Sequence, residues 1–303
     1  MDLVRRLSKI LKFLSPAVIE NIIKTSDVHV HFEGHPWSFL KLAVLAYWVD
    51  LYLRIIPKNF KNFAYLDLFS GSGTTRVKET GDIFLGSALL VPYISKSKRY
   101  SKSFSVFLLF EKDDSRREAL RTRLSALESS LGVKFNTKLL PDCNLLSNTS
   151  FELNYDHFLA FIDCQAPSAL RWPTLERLLE AKKGDIMFVW LRINFARTLG
   201  KGEYALTTFF GDDSWRSCRD VNQLLDLFVN RLSEYRSFVD VLSIECKFPI
   251  DIIIATKKGS YIRAWYHIQE FFSSLNPRIV EDLLKTFKGE SVFGGFTSLQ
   301  HFS

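Results

Sequence analysis

Apolar runs of strand length recur along this chain, each closed by a polar or small-residue turn: Phe63 to Asp67, Phe104 to Phe110, Val133 to Leu140, Phe158 to Ile162 and Asp185 to Leu191. Near-continuous apolar runs of this length mark strands that are covered on both faces. Between them, apolar residues recur at spacings of three and four. One such stretch starts at Pro36, which suits a first helical turn, and ends at Pro57. A second helix is predicted from Gly86-Ser87-Ala88. A third is capped by Asp113, Asp114 and Ser115, buries Leu120, Leu124, Leu127 and Leu131, and stops at Gly132. Arg116, Arg117, Arg121 and Arg123 read as its solvated basic face. Further helices are predicted at Trp172 to Ala181 and Val221 to Tyr235. Two last runs, Val239 to Cys246 and Ile250 to Thr256, flank Lys247-Phe248-Pro249 and predict a β-hairpin. Alternating strands and helices imply an α/β protein: a mostly parallel, doubly wound sheet closed by a terminal antiparallel hairpin. Residues 1–34 read as a helical lead-in broken near Ser15-Pro16, 35–258 as the α/β domain, and 259–303 as a helical tail.

Composition removes several classes without changing that picture. The 303 residues are 47% hydrophobic and 24% charged, a globular balance. No apolar run reaches the ~20 residues of a bilayer span. Met1 to Leu14 sets Arg5, Arg6, Lys9 and Lys12 among Leu3, Leu7, Ile10 and Leu11, a basic amphipathic helix that either docks on the protein or lies on a membrane surface. It lacks the uninterrupted apolar core of a signal peptide. Cys143, Cys164, Cys218 and Cys246 are scattered, with no C-x-x-C pair and no His at ligand spacing. That argues against a zinc site and a disulfide framework, so no metal is expected and a reducing cytoplasm is the default. Lys and Arg outnumber Asp and Glu by 40 to 33, a net charge of +7, which suits a polyanionic partner such as nucleic acid. Lys96, Lys98, Arg99 and Lys102, beside Tyr93 and Tyr100, form either a phosphate-facing loop or a merely solvated one.

Candidate chemistry gathers where the apolar runs end. The first leads into Asp67-Leu68-Phe69-Ser70-Gly71-Ser72-Gly73. Glycine there lets the backbone approach a ligand at the carboxyl end of a strand. No Gly-Lys-Ser/Thr follows, so this is not a phosphate loop, and Arg76 stands where a dinucleotide fingerprint needs its third glycine. Asp-x-Phe-x-Gly-x-Gly resembles instead the first motif of S-adenosylmethionine (SAM) dependent methyltransferases, where the turn passes beneath the cofactor's amino-acid part. Lys41 is a cation amid apolar neighbours, either snorkelling or touching the cofactor carboxylate. Glu111 ends the second run, placed to accept hydrogen bonds from both ribose hydroxyls or to serve as a structural acid. Asp142, followed by Cys143, can accept from an adenine amine. Asp163-Cys164-Gln165-Ala166-Pro167 follows the fourth run.

Taken together, these residues resemble the three-Cys-motif partner family of SAM-dependent methyltransferases from about His35 to Thr256. The resemblance rests on Trp37 with Lys41, the Tyr65-x-Asp67-x-Phe69-x-Gly71-x-Gly73 turn, Gly86-Ser87, Phe110-Glu111-Lys112-Asp113, Asp142-Cys143-Asn144, Phe161-Ile162-Asp163, Phe210-Gly211 with Trp215, and the closing hairpin. It implies a Rossmann-like class I methyltransferase fold and a SAM site. Gly71 and Gly73 would pass under the methionine moiety beside Phe69, and Asp67 would hold its amine. Glu111 would bind ribose, Asp142 with Cys143 adenine, and Asp163 would orient the acceptor. The family commonly has Asp-Pro-aromatic-Gly where this chain has Asp163-Cys164-Gln165-Ala166, so no aromatic is offered there to a flipped base. Cys164-Gln165 also resembles the Pro-Cys-Gln of cytosine-C5 methyltransferases, whose thiolate attacks the ring. Here no Pro precedes it, and a strand-end Cys is usually inert. The expectation is a cytosolic methyltransferase for nucleic acid, RNA favoured over DNA. The alternative is an inactive methyltransferase-fold scaffold that binds RNA or a protein partner.

Overall fold

A computed structural model of the chain describes residues 18–25, 30–34, 38–78, 81, 83–148, 153–181, 183–245, 249–257 and 262–273. The elements run α1 (Val18–Thr25), β1 (Phe32–Gly34), α2 (Ser38–Ile55), β2 (Phe63–Asp67), β3 (Thr74–Val77), β4 (Ile83–Leu85), α3 (Ser87–Ser95), β5 (Val106–Phe110) and α4 (Asp114–Leu131). Then follow β6 (Thr137–Leu140), β7 (His157–Ile162), α5 (Trp172–Glu180), β8 (Asp185–Leu191), α6 (Arg192–Leu199), α7 (Glu203–Phe210), α8 (Val221–Tyr235), β9 (Phe238–Ile244), β10 (Ile250–Thr256) and α9 (Ile262–Ser273).

Seven strands form one sheet in the order β6-β5-β2-β7-β8-β10-β9. Neighbours from β6 to β8 are parallel, with Leu66 of β2 opposite Leu108 of β5 and Ala160 of β7. β10 enters between β8 and β9 and runs antiparallel to both. Strand side chains alternate between two buried faces, as the period-2 geometry requires. Phe63, Tyr65, Phe107, Leu109, Leu159 and Phe161 pack with α2, α3 and α4. Ala64, Leu66, Leu108, Phe158, Ala160 and Phe188 pack with residues of α5, α7 and α8 on the other side. Both faces are covered, which is why these strands read as unbroken apolar runs rather than alternating ones.

Asp113 caps α4 through its side chain, which accepts from the Arg116 N–H, and Gly132 closes that helix in the left-handed conformation. Three expectations change. A second small sheet, β1-β3-β4, lies outside the main one, with β1 parallel to β3 and β3 antiparallel to β4. It takes Phe32–Gly34 out of the expected helical lead-in and inserts two strands between the glycine turn and α3. Strands of three or four residues have no measurable periodicity, so the pattern cannot find them. The third long run yields strand only from Thr137, because Glu128 takes the Phe135 N–H at 2.9 Å before the ladder begins. Arg123 is not on a solvated face: it is fully buried.

The Lys96 to Lys102 loop lies at the amino end of the sheet, since it leads into β5 at Ser105, whose N–H bonds the Phe63 carbonyl at the start of β2. There Arg99 pairs with Asp50 at 2.9 Å and Tyr100 donates to the same carboxylate. The amphipathic stretch at Met1 to Leu14, Trp37, Cys246 and residues 274–303 of the tail lie outside the described residues. Among the described residues, no helix is long and apolar enough to cross a membrane.

Candidate functional site

The parallel strands all end on one side, and there the turns leave a cleft of about 340 Å³. Its floor is the turn after β2. Gly71 and Gly73 adopt φ of +59° and +82°, left-handed values that an L side chain resists. The two glycines have different surroundings. A Cβ on Gly73 would stand 2.8 Å from Leu120, whereas one on Gly71 would meet nothing within 4 Å. Gly71 lines the cleft, so its missing side chain is room for a ligand. The turn is tied from below: Ser70 N–H bonds the Phe110 carbonyl at 2.9 Å and Gly86 N–H bonds the Gly73 carbonyl at 2.8 Å. Gly86 in turn starts α3.

Lys41, Phe69, Gly71, Gly73, Glu111, Asp142, Cys143 and Asp163 all line this cleft, brought there from α2 and from the ends of β2, β5, β6 and β7. Asp67 does not stand in the wall. It is fully buried just beneath, where Tyr65 Oη donates to Oδ2 at 3.2 Å and Phe69 N–H donates to Oδ1 at 3.4 Å. Burial pushes its carboxyl up to about 7, against the opposing pull of hydrogen bonds from Ser87, Tyr65 and Phe69. The same burial and the adjacent Asp67 push the Tyr65 phenol up, so it is a neutral donor at any ordinary pH.

Glu111 Oε1 accepts from the Asp113 N–H at 2.9 Å, and Arg117 holds the Glu111 carbonyl at 2.8 Å. Asp142 caps the short turn Cys143–Ser147 by accepting from the Asn144 N–H at 2.9 Å. Asn144 ties this turn to the next loop, accepting from Thr174 at 2.9 Å and donating to the Ala169 carbonyl at 3.1 Å.

Lys41 forms an ion pair with Asp163 across the cleft. It is therefore not snorkelling. Both side chains are mostly buried, 6% and 14% exposed, and each offsets the other's desolvation. Gln165 adds a 3.3 Å hydrogen bond to Asp163 Oδ1, and Asn194 of α6 holds the Gln165 carbonyl at 2.6 Å.

The structure does not bring Cys164 to the cleft. It is 1% exposed, its thiol donates to the Ala166 carbonyl at 2.8 Å, and burial pushes the thiol up to about 12. A protonated thiol held this way is a packing group and no nucleophile. Cys143 lines the cleft, but its thiol is also raised by burial. Among the described residues, no group of three or more His, Cys, Asp or Glu could hold a metal ion.

The sequence marks Gly86-Ser87 as a helix start and a motif piece but hides the side-chain role of Ser87, and reading it missed the role of Arg123. Ser87 lines the cleft and bonds Asp67. Arg123 Nη1 donates to the Ser72 carbonyl at 2.8 Å, from beneath the turn. A signal for it existed: Arg123 follows Leu120 by three and precedes Leu127 by four, spacings that put it on the buried stripe.

No protein-family model matches this sequence. No curated protein matches it either. Solved structures do match. A Legionella pneumophila protein aligns over 76% of this chain and 90% of its own, at 11% identity and a TM-score of 0.49. The ribosomal protein L11 methylase of Lactobacillus delbrueckii aligns over 73% and 80%, at 14% identity and 0.33. The methyltransferase subunit of a type I restriction-modification system from Streptococcus thermophilus aligns over 77% and 51%, at 15% and 0.38. Likeness at this level concerns the path of the chain alone. The strand order itself, with β10 reversed between β8 and β9 and a glycine turn after β2, defines the Rossmann-like class I methyltransferase fold.

Proposed function

We propose that the cleft binds S-adenosyl-L-methionine and that this chain transfers its methyl group to nucleic acid, RNA favoured over DNA. The observation that carries the reading is the glycine turn beneath an open cleft, with carboxylates just after β5 and β6. The open side of Gly71 takes the methionine moiety. Asp67, one layer below, places a negative charge under that end rather than a direct ligand, and it anchors Phe69. Glu111 accepts from the ribose hydroxyls, and Asp142 with the Cys143 backbone takes the adenine edge.

When bound, the cofactor supplies a methyl already activated by a cationic sulfur. The protein's task is then alignment, which can supply most of the rate. Asp163 orients the acceptor, and Lys41 fixes that carboxylate in place. Nucleic acid is favoured by the net charge of +7 and by Lys112, Arg116 and Arg171 along the cleft. The Lys96 to Lys102 loop lies at the other end of the sheet, away from this cleft.

The test is transfer of labelled methyl from SAM to pools of RNA, DNA and protein, by the wild type and by Asp163→Ala. Label should enter RNA with the wild type and fall at least tenfold with the variant. Bound SAM without transfer to any pool would leave a binding scaffold as the better description.

A further inference from the structure

Arg123 is a fully buried guanidinium in the middle of α4. Removing so hydrated a group from water is costly unless its donors are used, and the partners it has found are informative. Nη1 donates to the Ser72 carbonyl, which lies between the two left-handed glycines. Nη2 reaches His31 Nδ1 at 3.4 Å, and His31 Nδ1 also lies 2.9 Å from the Thr74 hydroxyl. A guanidinium only donates, so His31 Nδ1 is the acceptor there. One buried cation thus touches the floor of the cleft and the residue that precedes β1.

Other contacts make the same join. β1 pairs in parallel with β3, Phe32 to Gly34 opposite Thr75 to Val77, and β3 is the direct continuation of the glycine turn. The Lys78 N–H bonds the Gly34 carbonyl at 3.0 Å. Gly34 sits so close that a Cβ there would stand 2.6 Å from Thr75 Cγ2 and 3.1 Å from Ser38 Oγ. Before β1, α1 packs against α4 and buries Ile19 and Ile22 in the core.

A turn with two glycines at positive φ has many alternatives open to it, and each tie removes some of them. We propose that Arg123 is a positioning residue: it holds the Gly71–Thr74 turn in binding geometry while β1 is docked, so that docking of α1 and β1 and ligand binding in the cleft favour one another. If β1 leaves, His31 goes with it, water reaches the guanidinium, and Arg123 releases Ser72. By reciprocity, a ligand that fixes the turn strengthens docking of the segment that never touches it. The coupling to SAM rests on the cofactor reading above; the hold on the turn does not.

The experiment is hydrogen exchange on the full chain, for the wild type, Gly34→Ala, His31→Ala and Arg123→Lys, first without ligand. Gly34→Ala and His31→Ala act from the far side of the latch and substitute no residue of the turn; Gly34 bears directly on Thr75 and His31 on Thr74, so the readout is the amides that precede these two. Amides of residues 70–73 should exchange at least tenfold faster in these variants, while β8 and β10 keep wild-type protection. A merely structural role would move all of them together. Wild-type protection of the turn in both variants would overturn the proposal, and Arg123→Lys is the milder probe of the cation itself. With SAM added to the wild type, protection of α1 and β1 should rise, and Gly34→Ala should bind SAM about tenfold more weakly. Unchanged protection and affinity while SAM binds would refute the coupling. Absence of SAM binding in the wild type would instead remove the cofactor reading, and the ligand-free comparison would still decide the latch.

Discussion

Asp67 and Arg123 are buried ionisable groups, acidic and basic, that meet the same glycine turn from below, and burial disfavours the charged form of each. For Asp67 the sign can be worked out. Its folded value is raised from the ordinary carboxylate range to about 7 by burial. The folded state therefore holds this proton more tightly than the unfolded chain. Its contribution to stability is full below the unfolded value and is lost as pH rises through 7. At pH 8 the ionised carboxylate weighs against folding, and Asp67→Asn should raise Tm by about 2–4 °C. Tyr65 and Ser87 carry hydroxyls that can turn to accept from the new amide. The gain should vanish at pH 4, where both proteins are neutral at this position. An equal or lower Tm for the variant at pH 8 would show that the carboxylate is not strained by burial. Such a residue is expected where a cation is to be bound, since stability is given up for charge in the right place.

Elements divide sharply into those the sequence states and those it hides. β8 and α8 match the apolar pattern residue for residue, because each is long, strongly patterned and bounded by turn chemistry. β1, β3 and β4 could not be found that way; their stability comes from pairing with partners distant in sequence. The site divides on the same line. Gly71, Gly73, Glu111, Asp142 and Asp163 were legible because strand ends converge in a parallel sheet. The Lys41–Asp163 pair was not, since nothing in the sequence links a helix residue to a strand end 122 positions away. Cys164 misled because its motif context is visible while its burial is not.

At the opposite end of the sheet, β7 begins with a second buried titratable group. His157 Nδ1 lies 2.7 Å from Tyr52 Oη, and its ring packs against Phe60 at a tilt of 41°. Burial, aided by the charge of Arg236, pushes His157 down to about 4. A neutral imidazole is thus built into the fold, so stability is full above the unfolded value and is lost as pH falls from about 6.5 towards 4. The full loss is on the order of 3 kcal/mol. His157→Gln should be less stable than the wild type at pH 7.5, and that deficit should shrink between pH 6.5 and 4.5. Parallel Tm curves for the two proteins would exclude His157 as the group responsible.

Across the whole molecule, charge and topology fit one division of labour. The amino end of the sheet is closed by Tyr52, His157, Asp185 and Arg236, and its basic loop is tied down through Asp50. The carboxyl end is open, holds the cleft, and carries Lys112, Arg116 and Arg171 at the same site as Glu111, Asp142 and Asp163. Open α/β sheets bind ligands at that end because loops there are free to vary while the strands hold them in register. The small sheet and its latch add a part that the bare fold does not require, and they bear on the turn through Arg123.

The most direct test of the account is calorimetric titration of the full chain with S-adenosyl-L-methionine at pH 8, for the wild type and for Gly71→Ala. A Cβ at Gly71 meets no protein atom within 4 Å, so the variant should fold with only the modest strain of its left-handed φ, about 1 kcal/mol. The wild type should saturate one site in the micromolar range, and the variant should bind at least tenfold more weakly because its methyl group occupies the space for the ligand. No saturable binding to the folded wild type, or equal affinity in Gly71→Ala, would contradict a cofactor site above the glycine turn.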